Sequence, residues 1–185
     1  MSFSLLAARS RRAFSGVLIG GIAVPVAAFL PAAATAAHAA IEGAQCTGTQ
    51  ELTHSPGLTD TPRPVTVTGT STLVTCASSD QSITSGTSTL SASGTFSCTS
   101  GTGPGIRKIT WNNGQTSTLP FTRTISTNLL GQTVAKLAGV VSEGEFKGYV
   151  WNGTFILFST KPSACSTPEG LTSASGPLVL TITKP

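Results

Sequence analysis

Hydrophobic and polar residues alternate along most of the chain beyond residue 45, as expected for strands that bury one face. The clearest run is residues 87–98, where Leu90, Ala92 and Phe96 share one face and hydroxyl residues occupy the other. The remaining residues of the apolar face are mostly small, which indicates close approach by a neighbouring sheet or an aromatic ring. No segment in this part of the chain has the 3.6-residue spacing of an amphipathic helix. The pattern therefore predicts an all-β protein.

The segment Ile106–Ile125 predicts a β-hairpin around which the rest of the domain is organised. Asn113-Gly114 is well suited to a two-residue type I′ turn, because both positions of that turn require φ > 0. Trp111 precedes the turn on the apolar face and supplies a large anchor for a core.

Gly, Pro and Asn residues divide the remainder into short strands. Ser55-Pro56-Gly57 predicts the turn that ends the first strand, and the Gly-rich residues 99–105 predict a loop. Residues 145–158 fit one long strand, with a second hairpin at Asn152-Gly153 as the alternative. The predicted strands lie at 46–52, 65–76, 87–98, 106–125 (the hairpin), 133–142, 145–158 and 178–183.

Short strands at this spacing are typical of a two-sheet antiparallel sandwich, immunoglobulin-like in its general shape. We expect residues 40–185 to form a single domain of this kind.

The first 39 residues predict a signal peptide rather than part of the fold. A basic start is followed by an apolar stretch at 16–30, and Ala37-His38-Ala39 is an A-x-A cleavage signal. The apolar stretch is too short for a membrane span. Ser10-Arg11-Arg12 also resembles the twin-arginine export motif, so the general secretory and twin-arginine routes both remain open. We expect a secreted product with no membrane association after cleavage.

The charge of the mature chain is nearly balanced. Three of the 11 Lys and Arg residues lie in the signal peptide, which leaves eight against seven Asp and Glu. No basic stripe remains for nucleic acid or anionic lipid. Ser and Thr abound instead, and β-branched Thr suits the outer faces of sheets.

Four cysteines follow the cleavage site, and an even number in an exported chain predicts two disulfides. No C-x-x-C pair is present and one histidine remains, so we expect neither zinc nor another cofactor. If the strands form a simple meander, Cys46 and Cys76 meet at one end of the domain. Cys98 and Cys165 then meet at the other end.

Several motifs resemble those of a group of small exported actinobacterial proteins with four cysteines. They are Ser55-Pro56-Gly57-Leu58, the run from Trp111 to Ser117, and Gly139-Val140 with Gly144, Phe146 and Gly148. The resemblance covers most of residues 46–183. It implies export and a β-fold, and no particular activity.

Candidate catalytic residues are few. His54 is the only histidine beyond the signal peptide, and Asp60 and Asp80 follow it in sequence. No Gly-x-Ser-x-Gly elbow marks a nucleophile, so we interpret His54 as a surface loop residue and the protein as a non-enzyme. Glu143 and Glu145 have the appearance of a glycosidase pair, but they flank a tight turn and are expected to point into water.

Tyr149 and Trp151 form either an aromatic platform that contacts a ligand or partner, or part of the core, which is the interpretation we favour. Three function classes remain open. The first is a secreted binding or structural module, whose partner is a cell-wall polysaccharide or another extracellular protein. The second is a protease inhibitor that uses the Pro-rich loop 52–64, and the third is an extracellular hydrolase that uses His54.

Overall fold

A closed antiparallel β-barrel is the central feature of the computed structural model, which describes residues 42–127, 133–157 and 162–185. The predicted signal peptide lies outside the described residues. A short 3₁₀ helix, Pro162–Ser166, precedes the last strand. The strands are β1 (Gly43–Leu58), β2 (Arg63–Ser78), β3 (Gly86–Phe96), β4 (Gly101–Trp111), β5 (Thr116–Thr127), β6 (Thr133–Val140), β7 (Glu143–Gly144), β8 (Val150–Ile156) and β9 (Leu171–Thr183).

Eight of these strands form the barrel in the order β1-β2-β3-β4-β5-β6-β8-β9, and the two-residue β7 pairs only with β5. The barrel closes because β9 pairs with β1 from Gly43↔Thr183 to Thr53↔Ser173. The predicted two-sheet sandwich is therefore wrong. Alternation shows that one face of each strand is buried, but two facing sheets and one closed sheet produce the same alternation.

The inward residues of every barrel strand fill the interior, as expected for a barrel of eight strands. Both tryptophans are buried: Trp111 is 2% exposed and Trp151 is 0% exposed. Two arginines, Arg107 and Arg123, are also among the largest fully buried side chains. The interior thus contains charged groups as well as apolar side chains.

Residues 101–105, predicted as a loop, belong to β4. Their glycines allow aromatic rings to lie directly against the backbone. A Cβ atom on Gly105 would lie 2.4 Å from Cζ of Phe121, and one on Gly101 would lie 2.7 Å from Cδ1 of Phe96. The glycines therefore serve close packing in a strand, a use that composition alone does not distinguish from a loop.

The hairpin between β4 and β5 is confirmed, but its turn is not the predicted two-residue type. Gly114 has φ of 86°, whereas Asn113 is not among the residues with positive φ. The Gly114 N–H donates to the Trp111 carbonyl, and the Trp111 N–H donates to the Gln115 carbonyl. This is a three-residue loop with a left-handed glycine. Asn112 lies in that loop, and its side chain accepts from the N–H of Thr84.

Other strand boundaries differ from the prediction. β1 continues through Ser55-Pro56-Gly57 to Leu58, so that segment does not end the strand. β8 passes straight through Asn152-Gly153, which excludes a second hairpin there, and it is shorter than the predicted long strand because residues 145–148 form a turn.

Two disulfides brace opposite ends of the barrel, with the predicted pairing. Cys46 and Cys76 are direct cross-strand partners of β1 and β2. Cys98 follows β3 and bonds to Cys165 in the 3₁₀ helix. Disulfides persist in oxidising compartments, so this pattern is compatible with an extracellular protein. Within the described residues, we find no helix with the length and hydropathy needed to cross a membrane.

Candidate functional site: an outer hydroxyl face and a charged interior

The outward side of β1–β5, here called the hydroxyl face, carries aligned rows of hydroxyl side chains. Strand register places five exposed threonines side by side, one from each strand. They are Thr49, Thr72, Thr87, Thr110 and Thr116. Neighbouring strands lie about 4.8 Å apart, and outward residues repeat about every 6.7 Å along each strand. The row therefore displays hydroxyl groups at regular intervals over more than half of the barrel strands.

Charge is scarce on the hydroxyl face. The row next to the all-threonine row contains Glu51 on β1 and Lys108 on β4, separated by two threonines. The row after it runs from Thr53 through Thr68 and Ser91 to Ile106, with no charge. Such a surface offers neutral donors and acceptors rather than ion pairs.

A shallow depression of about 470 Å³ lies on this face where β2, β3 and β4 meet. The side chain of Ile106 is 48% exposed at the depression. Ala92 and Gly105 face the interior, so they contribute backbone to the floor of the depression between the outward-facing side chains. The lining residues are Thr66, Ser91, Ala92, Ser93, Pro104, Gly105 and Ile106.

Arg107 lies in the middle of the barrel interior and is held by neutral oxygens. Its Nη1 donates to the hydroxyls of Ser71 and Ser88, both at 2.7 Å, and its Nη2 donates to Oε1 of Gln50 at 2.5 Å. Burial lowers the pKa of Arg107 to about 10, so the guanidinium keeps its charge at neutral pH.

Arg123 occupies a different environment. It is 1% exposed, and its guanidinium carbon lies 5.1 Å from the centre of the Phe96 ring. Among the described residues, Nη1 and Nη2 have no hydrogen-bond partner. Burial lowers the pKa of Arg123 to about 10, which leaves it charged at neutral pH.

His54 also points into the barrel and is 2% exposed, so its predicted place on a surface loop is wrong. Neither ring nitrogen makes a well-aligned hydrogen bond among the described residues, although the Leu171 backbone lies close enough to raise the pKa of the ring. Burial, with a smaller contribution from the charge of Arg123, lowers the pKa of His54 to about 4. The imidazole is therefore neutral at pH 7.

The two aspartates considered as partners of His54 are engaged elsewhere. Asp60 accepts a hydrogen bond from the Ser166 hydroxyl, and Asp80 accepts from the backbone and hydroxyl of Ser82. The Ser82 hydrogen bonds lower the pKa of Asp80. No hydrogen bond links either carboxylate to His54 in the described part of the chain.

The tight turn predicted at Glu143-Gly144 is instead the short strand β7, and residues 145–148 form the turn. Glu143 is exposed and Glu145 is half-buried. The backbone carbonyl of Glu145 accepts a hydrogen bond from the Ser117 hydroxyl, which in turn accepts from Trp111 Nε1. Glu145 thus contributes its backbone to the packing around Trp111.

Trp151 belongs to the core. Its ring makes an edge-to-face contact with Phe121 at 5.8 Å, and its Nε1 donates to the Pro120 carbonyl. Tyr149 is half-buried and packs on Phe146 at 5.8 Å. These contacts correspond to the core interpretation of the pair, and they do not leave an exposed aromatic platform.

Sequence reasoning did not single out the buried arginines, although a signal for them was present. Arg107 lies an even number of residues from Ile109 and Trp111, so it is on the same face of its strand. Arg123 is related to Phe121 and Ile125 in the same way. A charged residue in phase with an apolar face is the feature that would have marked both positions.

No group of His, Cys, Asp or Glu side chains in residues 42–127, 133–157 and 162–185 is arranged to hold a metal ion. No family model, curated protein or solved structure matches this chain.

Proposed function

We propose that the protein is a secreted, non-enzymatic binding module that holds a neutral, hydroxyl-rich polymer, a cell-wall polysaccharide, on its hydroxyl face. The single observation that carries this proposal is the row of five exposed threonines aligned across five consecutive strands. A polysaccharide presents its own hydroxyls at regular intervals, and each threonine hydroxyl both donates and accepts.

The depression beside Ile106 supports the same proposal. It combines the hydroxyls of Thr66, Ser91 and Ser93 with the exposed apolar surface of Ile106. A sugar ring has polar edges and apolar C–H faces, so a mixed surface of this kind matches it. The near-absence of charge favours a neutral polymer over nucleic acid.

The alternatives have less support from the geometry. An inhibitor that uses loop 52–64 needs a protruding segment, but residues 52–58 belong to β1, and Arg63 holds the end of that strand through the Gly57 carbonyl. A hydrolase that uses His54 needs an accessible imidazole with a hydrogen-bonded partner. His54 is buried with neither ring nitrogen paired among the described residues.

Retention on insoluble cellulose, chitin and peptidoglycan tests the proposal. We expect at least one polymer to retain the protein, and Ile106→Lys to abolish that retention by placing a charge in the depression. Val179→Lys is the matched control, because Val179 is a β-branched residue, 42% exposed, on an outward position of β9. β9 lies four strands from β4 in either direction around the barrel.

Loss of retention in Ile106→Lys alone supports the hydroxyl face as the binding surface. Equal loss in both variants, or no retention of the unmodified protein on any polymer, contradicts the proposal.

A further inference from the structure

The interior holds two arginines with opposite hydrogen-bonding situations. Arg107 donates to Gln50, Ser71 and Ser88 through both of its terminal nitrogens. Arg123 is equally buried, yet its two terminal nitrogens have no partner among the described residues. Buried polar groups are almost always hydrogen-bonded, so an unpaired guanidinium marks a place where the described residues supply no acceptor.

His54 and Arg123 lie near the same end of the barrel. His54 lies four positions before Leu58 at the end of β1, and Arg123 lies four positions before Thr127 at the end of β5. Since β1 and β5 both run toward the end that holds the Cys98–Cys165 disulfide, both side chains lie toward that end of the interior. Arg123 is also close enough to contribute to the lowered pKa of His54.

Phe96 covers one face of the Arg123 guanidinium. The N–H donors of a guanidinium lie in its plane, so Nη1 and Nη2 remain as a fork that matches the two oxygens of a carboxylate. Neither ring nitrogen of His54 makes a well-aligned hydrogen bond among the described residues, although the Leu171 backbone lies close enough to the ring to raise its pKa. The neutral imidazole carries one N–H.

No carboxylate compensates this charge from within the described residues. The buried polar and charged side chains are Gln50, His54, Ser71, Ser88, Ser97, Arg107, Ser117 and Arg123. An unpaired charge in a protein interior is costly, and the cost falls when a counter-ion enters. Because His54 is neutral at pH 7, Arg123 is the one positive charge that the described residues place at this end of the interior.

We propose that the barrel interior between His54 and Arg123 binds a small monocarboxylate of the size of formate or acetate. One oxygen accepts from each terminal nitrogen of Arg123, and His54 supplies a further donor. A single negative charge balances the single positive charge of the site. Arg123 and His54 are 1% and 2% exposed, so only a small ligand can be enclosed beside them.

Thermal unfolding at pH 7 and constant ionic strength tests this site with four sodium salts. Formate and acetate are the ligands, gluconate is a carboxylate too large for the interior, and chloride is an anion without paired oxygens. We expect the Tm to rise by roughly 3–6 °C for each tenfold increase of formate above its Kd, and to stay level in gluconate and chloride.

Arg123→Met should lose the response to formate. Arg63→Met is the matched control: Arg63 lies at the same end of the barrel, but its Nε donates to the Gly57 carbonyl outside the interior. Arg63→Met should have a lower Tm than the unmodified protein, but its Tm should still rise with formate. A formate response that survives in Arg123→Met, or an equal response to all four salts, overturns the proposal.

A second measurement does not depend on any substituted protein folding. The chain has two histidines, so the imidazole proton resonances of His54 can be resolved and assigned by comparison with His54→Gln. Formate should shift the His54 resonance with saturation, whereas gluconate and chloride should not. A His54 resonance that formate does not move means that the unpaired donors serve another purpose, and the proposal is then wrong.

Discussion

The guanidinium carbon of Arg123 lies 5.1 Å from the centre of the Phe96 ring, and this contact positions the charge in the barrel. Phe96 in turn lies against Gly94 and Gly101, where a Cβ atom would come within 2.9 and 2.7 Å of the ring. Two residues without side chains thus make room for a ring, and the ring positions a charged group. The interior depends on this order of contacts as much as on its apolar area.

Gly105→Ala should destabilise the protein by roughly 1–3 kcal/mol, because the new methyl group would lie 2.4 Å from Phe121 and 2.7 Å from Ala92. Gly153→Ala is the control, since its Cβ would approach Trp151 no closer than 3.3 Å. Urea unfolding measures both variants. A Gly105→Ala midpoint equal to that of the control would show that the ring of Phe121 can move aside.

Stability should fall as the pH is lowered from about 6.5 to about 4, because of His54. Burial, and to a smaller degree Arg123, lowers the pKa of His54 in the folded state. The unfolded chain therefore binds more protons in this window, and protonation favours unfolding. The loss approaches about 3 kcal/mol and levels off below the folded pKa. Urea unfolding at several pH values should show this slope reduced in His54→Gln, and identical slopes would contradict the prediction.

Gln50→Leu should destabilise the protein by roughly 2–3 kcal/mol, because it removes the oxygen to which Nη2 of Arg107 donates. Glu51→Gln is the control on the same strand: its side chain is exposed, so we expect a change within about 0.5 kcal/mol. Chemical unfolding separates the two. If Gln50→Leu is as stable as the control, Arg107 finds another acceptor.

Removal of the disulfides should have unequal effects. Cys98 and Cys165 are separated by 67 residues, and Cys46 and Cys76 by 30. In the chain-entropy model the longer loop contributes about 4.4 kcal/mol and the shorter about 3.6 kcal/mol. Cys98→Ala/Cys165→Ala should therefore lower the Tm further than Cys46→Ala/Cys76→Ala. The reverse order would show that native packing around Cys46 matters more than loop length.

The secreted product should begin at or within two residues of Ala40, because Ala37-His38-Ala39 precedes a change from Ala-rich to Thr-rich sequence. N-terminal sequencing checks this. A product that still begins at Met1, or one that begins beyond Cys46, would exclude the predicted cleavage.

The sequence by itself determined the all-β class, the β4–β5 hairpin and the disulfide pairing. Period-2 alternation reports directly on which face of a strand is buried, as Leu90 and Phe96 illustrate on β3. The meander argument placed Cys98 and Cys165 at one end, because it needed only the direction of each strand. The direction of each strand follows from the number of turns before it, and turns can be recognised from a few neighbouring residues.

Only the tertiary structure decided that the sheet closes, since closure depends on the pairing of β1 with β9, more than a hundred residues apart in sequence. His54 moved from an expected surface loop to the interior because it pairs with Val67 on β2, and β1 continues through Ser55-Pro56-Gly57 to Leu58. Closure of the barrel also placed Arg123 and His54, on opposite strands, inside one interior. Local patterns encode the face that a residue occupies, and tertiary structure alone decides which residues it meets there.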